Sequence, residues 1–148
     1  MRPKQRKILQ NFNFNMIQFE RFELKNGLKV IFHKDTSTPM AVVNTLYDVG
    51  ARDEQEDKTG FAHLFEHLMF GGSVNIPSYD APLQNAGGES NAFTSNDITN
   101  YYNVLPAQNI ETALWLESDR MLSLAFSPKS LGYQSCSSFA SSKERTIP

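Results

Sequence analysis

Residues 60–72 read GFAHLFEHLMFGG, and this stretch constrains the fold more than any other. Apolar residues three and four positions apart suit a helix. Phe61, Leu64, Phe65, Leu68 and Met69 fall on one side, which predicts a core-facing stripe. His63, Glu66, His67 and Phe70 fall on the other. A solvated helix face usually carries Lys, Glu and Gln. This one carries no cation and ends in a phenylalanine, as a cleft wall does. His63 and His67 stand at i and i+4, so both imidazoles project together, as a zinc ion held at about 2.0–2.1 Å per nitrogen requires. Glu66 can then reach the open coordination position without being a ligand. Zinc lowers the pKa of a bound water, and a neighbouring carboxylate can take the proton and later hand it to a leaving amine. The competing reading is the polar side of an ordinary amphipathic helix.

The lone cysteine, Cys136, excludes an internal disulfide framework and any multi-thiolate site, so a bound metal would need imidazole and carboxylate. Cys136 has no nearby base or metal partner in sequence and reads as inert. A net charge of −2 gives no electrostatic case for nucleic acid. No run approaches the roughly 18 apolar residues of a membrane span. Residues 1–18 hold four cations and no acid but lack a continuous apolar segment, which argues against a secretory signal. They are expected to form a disordered leader in a cytoplasmic protein, with an organelle-targeting reading left open by Ile8, Phe12 and Met16 at four-residue intervals.

From residue 19 the chain reads as packed structure. QFERFELKNGLKVIFHKD alternates around Asn26-Gly27, a hairpin signal with both central residues suited to positive φ. MAVVNTLYDVG predicts a third strand, and Thr59 can cap the helix that follows. SYDAPLQNAGG predicts a short helix ending in glycine, and ESNAFTSNDITNYYNVL two strands around Ser-Asn-Asp. NIETALWLESDRML predicts a helix with Asn109 at its cap and Ile110, Leu114 and Met121 facing a core. Glu117, Asp119 and Arg120 would form a solvated or salt-bridged face, or stand behind the ligands. Of Tyr101 and Tyr102, one should be core and the other outward. His33, at a strand end, reads as a surface residue. The order ββ β α α β β α predicts an α+β domain with a mixed or antiparallel sheet and helices packed on one face.

H-x-x-E-H is the inverted zinc motif. Together with VGARDEQEDKTGFAHLFEHLMFGGS, GGESNAFTSNDITNYYNVLP and ALWLESDRML, it resembles the pitrilysin-type (M16) metallopeptidases, from about residue 19 to about residue 131. The resemblance implies one Zn²⁺ ion on His63 and His67, with Glu66 as the base. It also implies that Asn91, Ala92, Phe93 and Thr94 lie on an edge strand to which an extended peptide substrate adds. Without the resemblance, NAFT reads as core or turn. A second M16-type half or subunit is a further implied partner.

The tail departs from the family. The third ligand is expected as a Glu roughly 75 residues beyond the second His, on a helix rich in branched apolar residues. That window contains Glu144, but the segment reads SLGYQSCSSFASSKERTIP, and serine weakens helices. An alignment on KER would put Ser141 in the ligand position instead. The chain is therefore expected to be an incomplete or frame-disrupted member: a leader over 1–18, an incomplete peptidase domain over 19–131 and a serine-rich tail over 132–148. The implied function is a zinc metalloendopeptidase cleaving peptides or unfolded segments. The alternatives are a non-catalytic peptide-binding or assembly subunit, or an inactive truncated product.

Overall fold

A computed structural model describes residues 17–125, and the chain divides between Ser37 and Thr38 into two compact units. In the first unit, β1 (Glu20–Glu23) pairs antiparallel with β2 (Lys29–Phe32). Asn26-Gly27 turns the chain, but only Gly27 takes a positive φ, at 87°. Gly27 N–H donates to Leu24 O and Leu24 N–H to Leu28 O, both at 2.9 Å. The connection is thus a longer loop with one left-handed glycine, not a two-residue turn. Asn26 contributes its side chain instead: Oδ1 accepts from Leu28 N–H at 3.2 Å. His33 is exposed at the end of this hairpin, its Nδ1 2.5 Å from Gln18 O.

The second unit is built on an antiparallel sheet of β3 (Met40–Tyr47), β4 (Glu89–Thr94) and β5 (Thr99–Pro106), in the order β3-β5-β4. Three helices join it: α1 (Phe61–Leu68), α2 (Asp80–Asn85) and α3 (Ile110–Leu122). Register sets the faces. Asn103 pairs with Val43 and Ser90, Tyr101 with Thr45 and Ala92, and Thr99 with Tyr47 and Thr94. These rows share one side of the pleat, and the helices pack there. Ile76, Tyr79, Leu83, Leu105, Ala113 and Leu116 form the core. Fully burying a leucine such as Leu105 or Leu116 stabilises by about 1.5–3 kcal/mol. Val42, Leu46 and Phe93 point to the opposite side and are exposed. Tyr101 is buried and Tyr102 only partly so, as alternation requires. The architecture is the expected α+β, with helices on one face.

Both helical wheels need correction. On α1 the buried positions are Ala62, Glu66 and Leu68, joined by Met69 at its C-cap, whereas Phe61 and Phe65 stay half exposed. On α3 they are Ala113, Leu116, Glu117 and Arg120, while Leu114 and Met121 are exposed. A wheel sorts residues by polarity, but the covering strands decide which side is buried. In both helices buried polar partners, described below, hold the polar side inward. The caps differ as well. Residue Gly60, at φ 91°, is the N-cap of α1, not Thr59. Glu54 serves the helix start from the preceding loop, accepting Gly60 N–H and Ala62 N–H at 2.7 Å each. Its negative charge also suits the positive end of the helix dipole. Asn109 flanks α3, yet its side-chain Nδ2 donates to Ala86 O at 2.9 Å and so ties α3 to the end of α2. Among the described residues, no helix is long and apolar enough to cross a membrane.

Candidate metal centre

Helix α1 runs beside β4, the edge strand whose pairing among the described residues is with β5 alone. α1 therefore brings Glu66 against Thr94 at the end of β4. The Nε2 atoms of His63 and His67 lie 3.1 Å apart, with ring centroids 4.7 Å apart. Two nitrogens on one tetrahedral zinc at ~2.05 Å each would be separated by about 3.3 Å. That spacing is compatible with a shared ion, and it is equally that of a hydrogen bond between the two rings.

Glu66 is 9% exposed, and its Oε2 accepts a hydrogen bond from the Thr94 hydroxyl. Its side chain faces the sheet at Thr94. A cleft of about 730 Å³ opens here, lined by Glu54, His63, Glu66, Ala92, Phe93 and Thr94 among others. Of the NAFT segment, Ala92 and Thr94 share the helix-covered face of β4, while Asn91 and Phe93 point away from it. Asn91 Oδ1 accepts from Ala92 N–H at 2.8 Å. Among the described residues no group of three His, Cys, Asp or Glu side chains is placed to hold a metal. Glu144 lies outside the described residues, as do Cys136, Ser141 and the 132–148 tail.

Behind this site is a buried ionic network that polarity alone concealed. Glu117 and Arg120 take the salt-bridged alternative, but buried and not solvated: their side chains are 5% and 2% exposed. Arg120 Nη2 donates to Glu117 Oε1 at 2.6 Å and Nε to Oε2 at 3.0 Å. Glu117 Oε1 also accepts from Asn103 Nδ2 at 2.6 Å and from the Tyr79 hydroxyl at 3.0 Å. The guanidinium carbon lies 4.3 Å from the Tyr101 ring centroid and 4.6 Å from that of Tyr79, favourable cation–π stacking. Burial pushes both phenols well above the usual tyrosine range, against the opposing field of Arg120. The Glu66 carboxylate pushes Tyr101 further up. Asp119, partly buried, accepts from the Ser73 hydroxyl and from Asn75 Nδ2, bonds that hold its carboxyl below the ordinary aspartate range.

Sequence reasoning missed Glu54 as the helix-starting carboxylate and the Tyr79–Asn103–Glu117 linkage. Nothing in their local sequence signals either, because each partnership spans loops or strands.

The sequence profile of the insulinase family, peptidase family M16, matches residues 29–140. The chain belongs to this family. The zinc protease PqqE of Helicobacter pylori is 39% identical over 108 residues, which cover 71% of the chain and 24% of that protein. Human insulin-degrading enzyme is 32% identical over 100 residues, covering 66% of the chain and 10% of the enzyme. The probable mitochondrial-processing peptidase subunit beta of Arabidopsis thaliana is 33% identical over 98 residues, covering 65% of the chain and 18% of that subunit. The chain thus spans a quarter or less of these relatives. The crystal structure of a protease from Helicobacter pylori superposes with a TM-score of 0.75 at 35% identity, over 79% of the chain and 29% of that protein. Pitrilysin superposes at 0.73 with 23% identity, over 79% of the chain and 13% of pitrilysin, a likeness of fold. The M16 resemblance and the α+β class both hold.

Proposed function

We propose that this M16 chain carries the zinc-binding and base-bearing part of a metalloendopeptidase site acting on peptides or unfolded segments. The observation behind this reading is the convergence of the His63 and His67 Nε2 atoms, 3.1 Å apart, on a helix that also presents a buried Glu66 to the cleft beside β4. His63 and His67 would hold the ion, and Glu144 is the chain's own candidate for a third ligand. Zinc in such a site supplies Lewis acidity, which activates water and polarises a carbonyl. Glu66 receives the proton of the attacking water and returns it to the departing amine. The open edge of β4, with Asn91 to Thr94 along it, binds the peptide as an added strand; its Asn91 side chain must release Ala92 N–H if that amide is to pair. A second M16-type half or subunit is the proposed partner, a reading supported by the relative named as a processing-peptidase subunit.

The experiment measures zinc content and peptide cleavage in the wild-type chain, His63→Ala, His67→Ala and Glu66→Gln. Either histidine change should abolish zinc binding. Glu66→Gln should retain zinc and lower cleavage by roughly 10² to 10⁴, the contribution of a positioned general base. Zinc lost with Glu66→Gln would make Glu66 a ligand. A wild-type chain that takes up no zinc yet binds unfolded peptide would replace the enzyme reading with that of a non-catalytic binding subunit.

A further inference from the structure

Thr94 closes β4 on the helix-covered face of the sheet, opposite Thr99. Its hydroxyl meets Glu66 Oε2. An ionised carboxylate only accepts hydrogen bonds, so the hydroxyl must be the donor. Its surroundings permit this. Thr99 Oγ1 lies 3.5 Å from Thr94 Oγ1, but Thr99 can give its own proton to Val49 O at 3.0 Å. Thr94 therefore keeps its proton for Glu66. As a β-branched residue on a paired strand, Thr94 also has a stiff χ1, so the donor is fixed relative to the sheet.

We infer that Thr94 is a positioning residue for Glu66: its hydroxyl occupies Oε2, locks the carboxylate rotamer and leaves Oε1 to receive the proton of the attacking water. This rests on the reading of Glu66 as the base, and it gives Thr94 a role distinct from peptide binding along the strand edge. In the step itself, an O–H bond of water breaks and its proton forms a new O–H bond at Oε1. The electron pair left on the water oxygen forms the bond to the peptide carbonyl carbon, and the C=O π pair moves onto the carbonyl oxygen. Thr94 keeps its own proton throughout and continues to donate to Oε2. A carboxylate free to rotate would present either oxygen at varying distance from the water, and a misplacement of about 1 Å can cost on the order of 100-fold in rate.

The test uses the full chain without zinc, so that it does not depend on catalysis. NMR three-bond couplings about the Glu66 Cα–Cβ and Cβ–Cγ bonds should report a single rotamer in the wild type. Thr94→Ser, which keeps the hydroxyl, should preserve it. Thr94→Val, close in shape but without a donor, should average the couplings, and Thr94→Ala serves the same purpose if the valine variant does not fold. Wild-type couplings in the hydroxyl-free variant would overturn the inference, as would averaged couplings in Thr94→Ser. In zinc-loaded protein with measurable cleavage, Thr94→Val should lower kcat roughly 10- to 100-fold with KM nearly unchanged. Thr94→Ser should recover most of that loss. A rise in KM at constant kcat would instead assign Thr94 to substrate binding. The two readings fail separately: full activity in Glu66→Gln removes the base, whereas unchanged Glu66 couplings remove only the role of Thr94.

Discussion

Removing the cation from the buried Glu117–Arg120 pair should be among the most destabilising single changes in this domain. In Arg120→Met the apolar length of the side chain is largely kept, so the loss is mostly electrostatic. Glu117 would stay about as buried as before, at 5% side-chain exposure, and would lose two of its four hydrogen bonds. The donors from Asn103 and Tyr79 would remain. Breaking a buried pair on one side costs about 3–5 kcal/mol, because an uncompensated charge is left in the interior. That is a large fraction of a small domain's total stability of roughly 5–15 kcal/mol. Glu117→Gln should cost a comparable amount from the other side, leaving Arg120 charged between two tyrosine rings. The double variant should cost less than the sum, by about 1–3 kcal/mol of coupling, since neither charge is then stranded. Urea unfolding midpoints of the four proteins measure each quantity. Single losses below about 1 kcal/mol, or losses that simply add, would refute the buried, mutually dependent pair.

Two further outcomes follow from the same geometry. Glu54→Ala removes the acceptor for two amides at the start of α1 and should cost about 1 kcal/mol, the usual worth of a cap; an unchanged unfolding midpoint would show that water replaces it. The phenols of Tyr79 and Tyr101 are held neutral by burial, so their folded pKa values lie above the unfolded value of 10.0. Their stabilising effect is fully present below pH 10 and is lost as pH rises beyond it, because only the unfolded chain then ionises. Stability measured between pH 9 and pH 11 should fall, and fall less steeply in Tyr79→Phe; an equal slope in that variant would contradict the assignment.

The local elements of this chain were legible because they answer to local chemistry. Asn26-Gly27 turned the hairpin, β-branched alternation marked β3, and the spacing of His63 and His67 placed two imidazoles together before any packing was known. Family membership was legible for the same reason, since its motifs are short and contiguous. The side each helix would bury was not. Polarity predicted that Glu66, Glu117 and Arg120 face away from the core stripes, yet all three are buried. The partners that make this tolerable come from other elements: Thr94 for Glu66, and Asn103 and Tyr79 for Glu117. Thr59 and Asn109 were sound cap residues by type, but the acceptor at α1 came from Glu54, six residues before Gly60, and Asn109 bonded across to Ala86. Sequence alone determined which groups could ligate, cap or pair, because that is a property of side-chain chemistry and spacing. Only the tertiary structure decided which polar groups could be buried, because their desolvation is offset by partners from other elements as well as by the Glu117–Arg120 pair within α3.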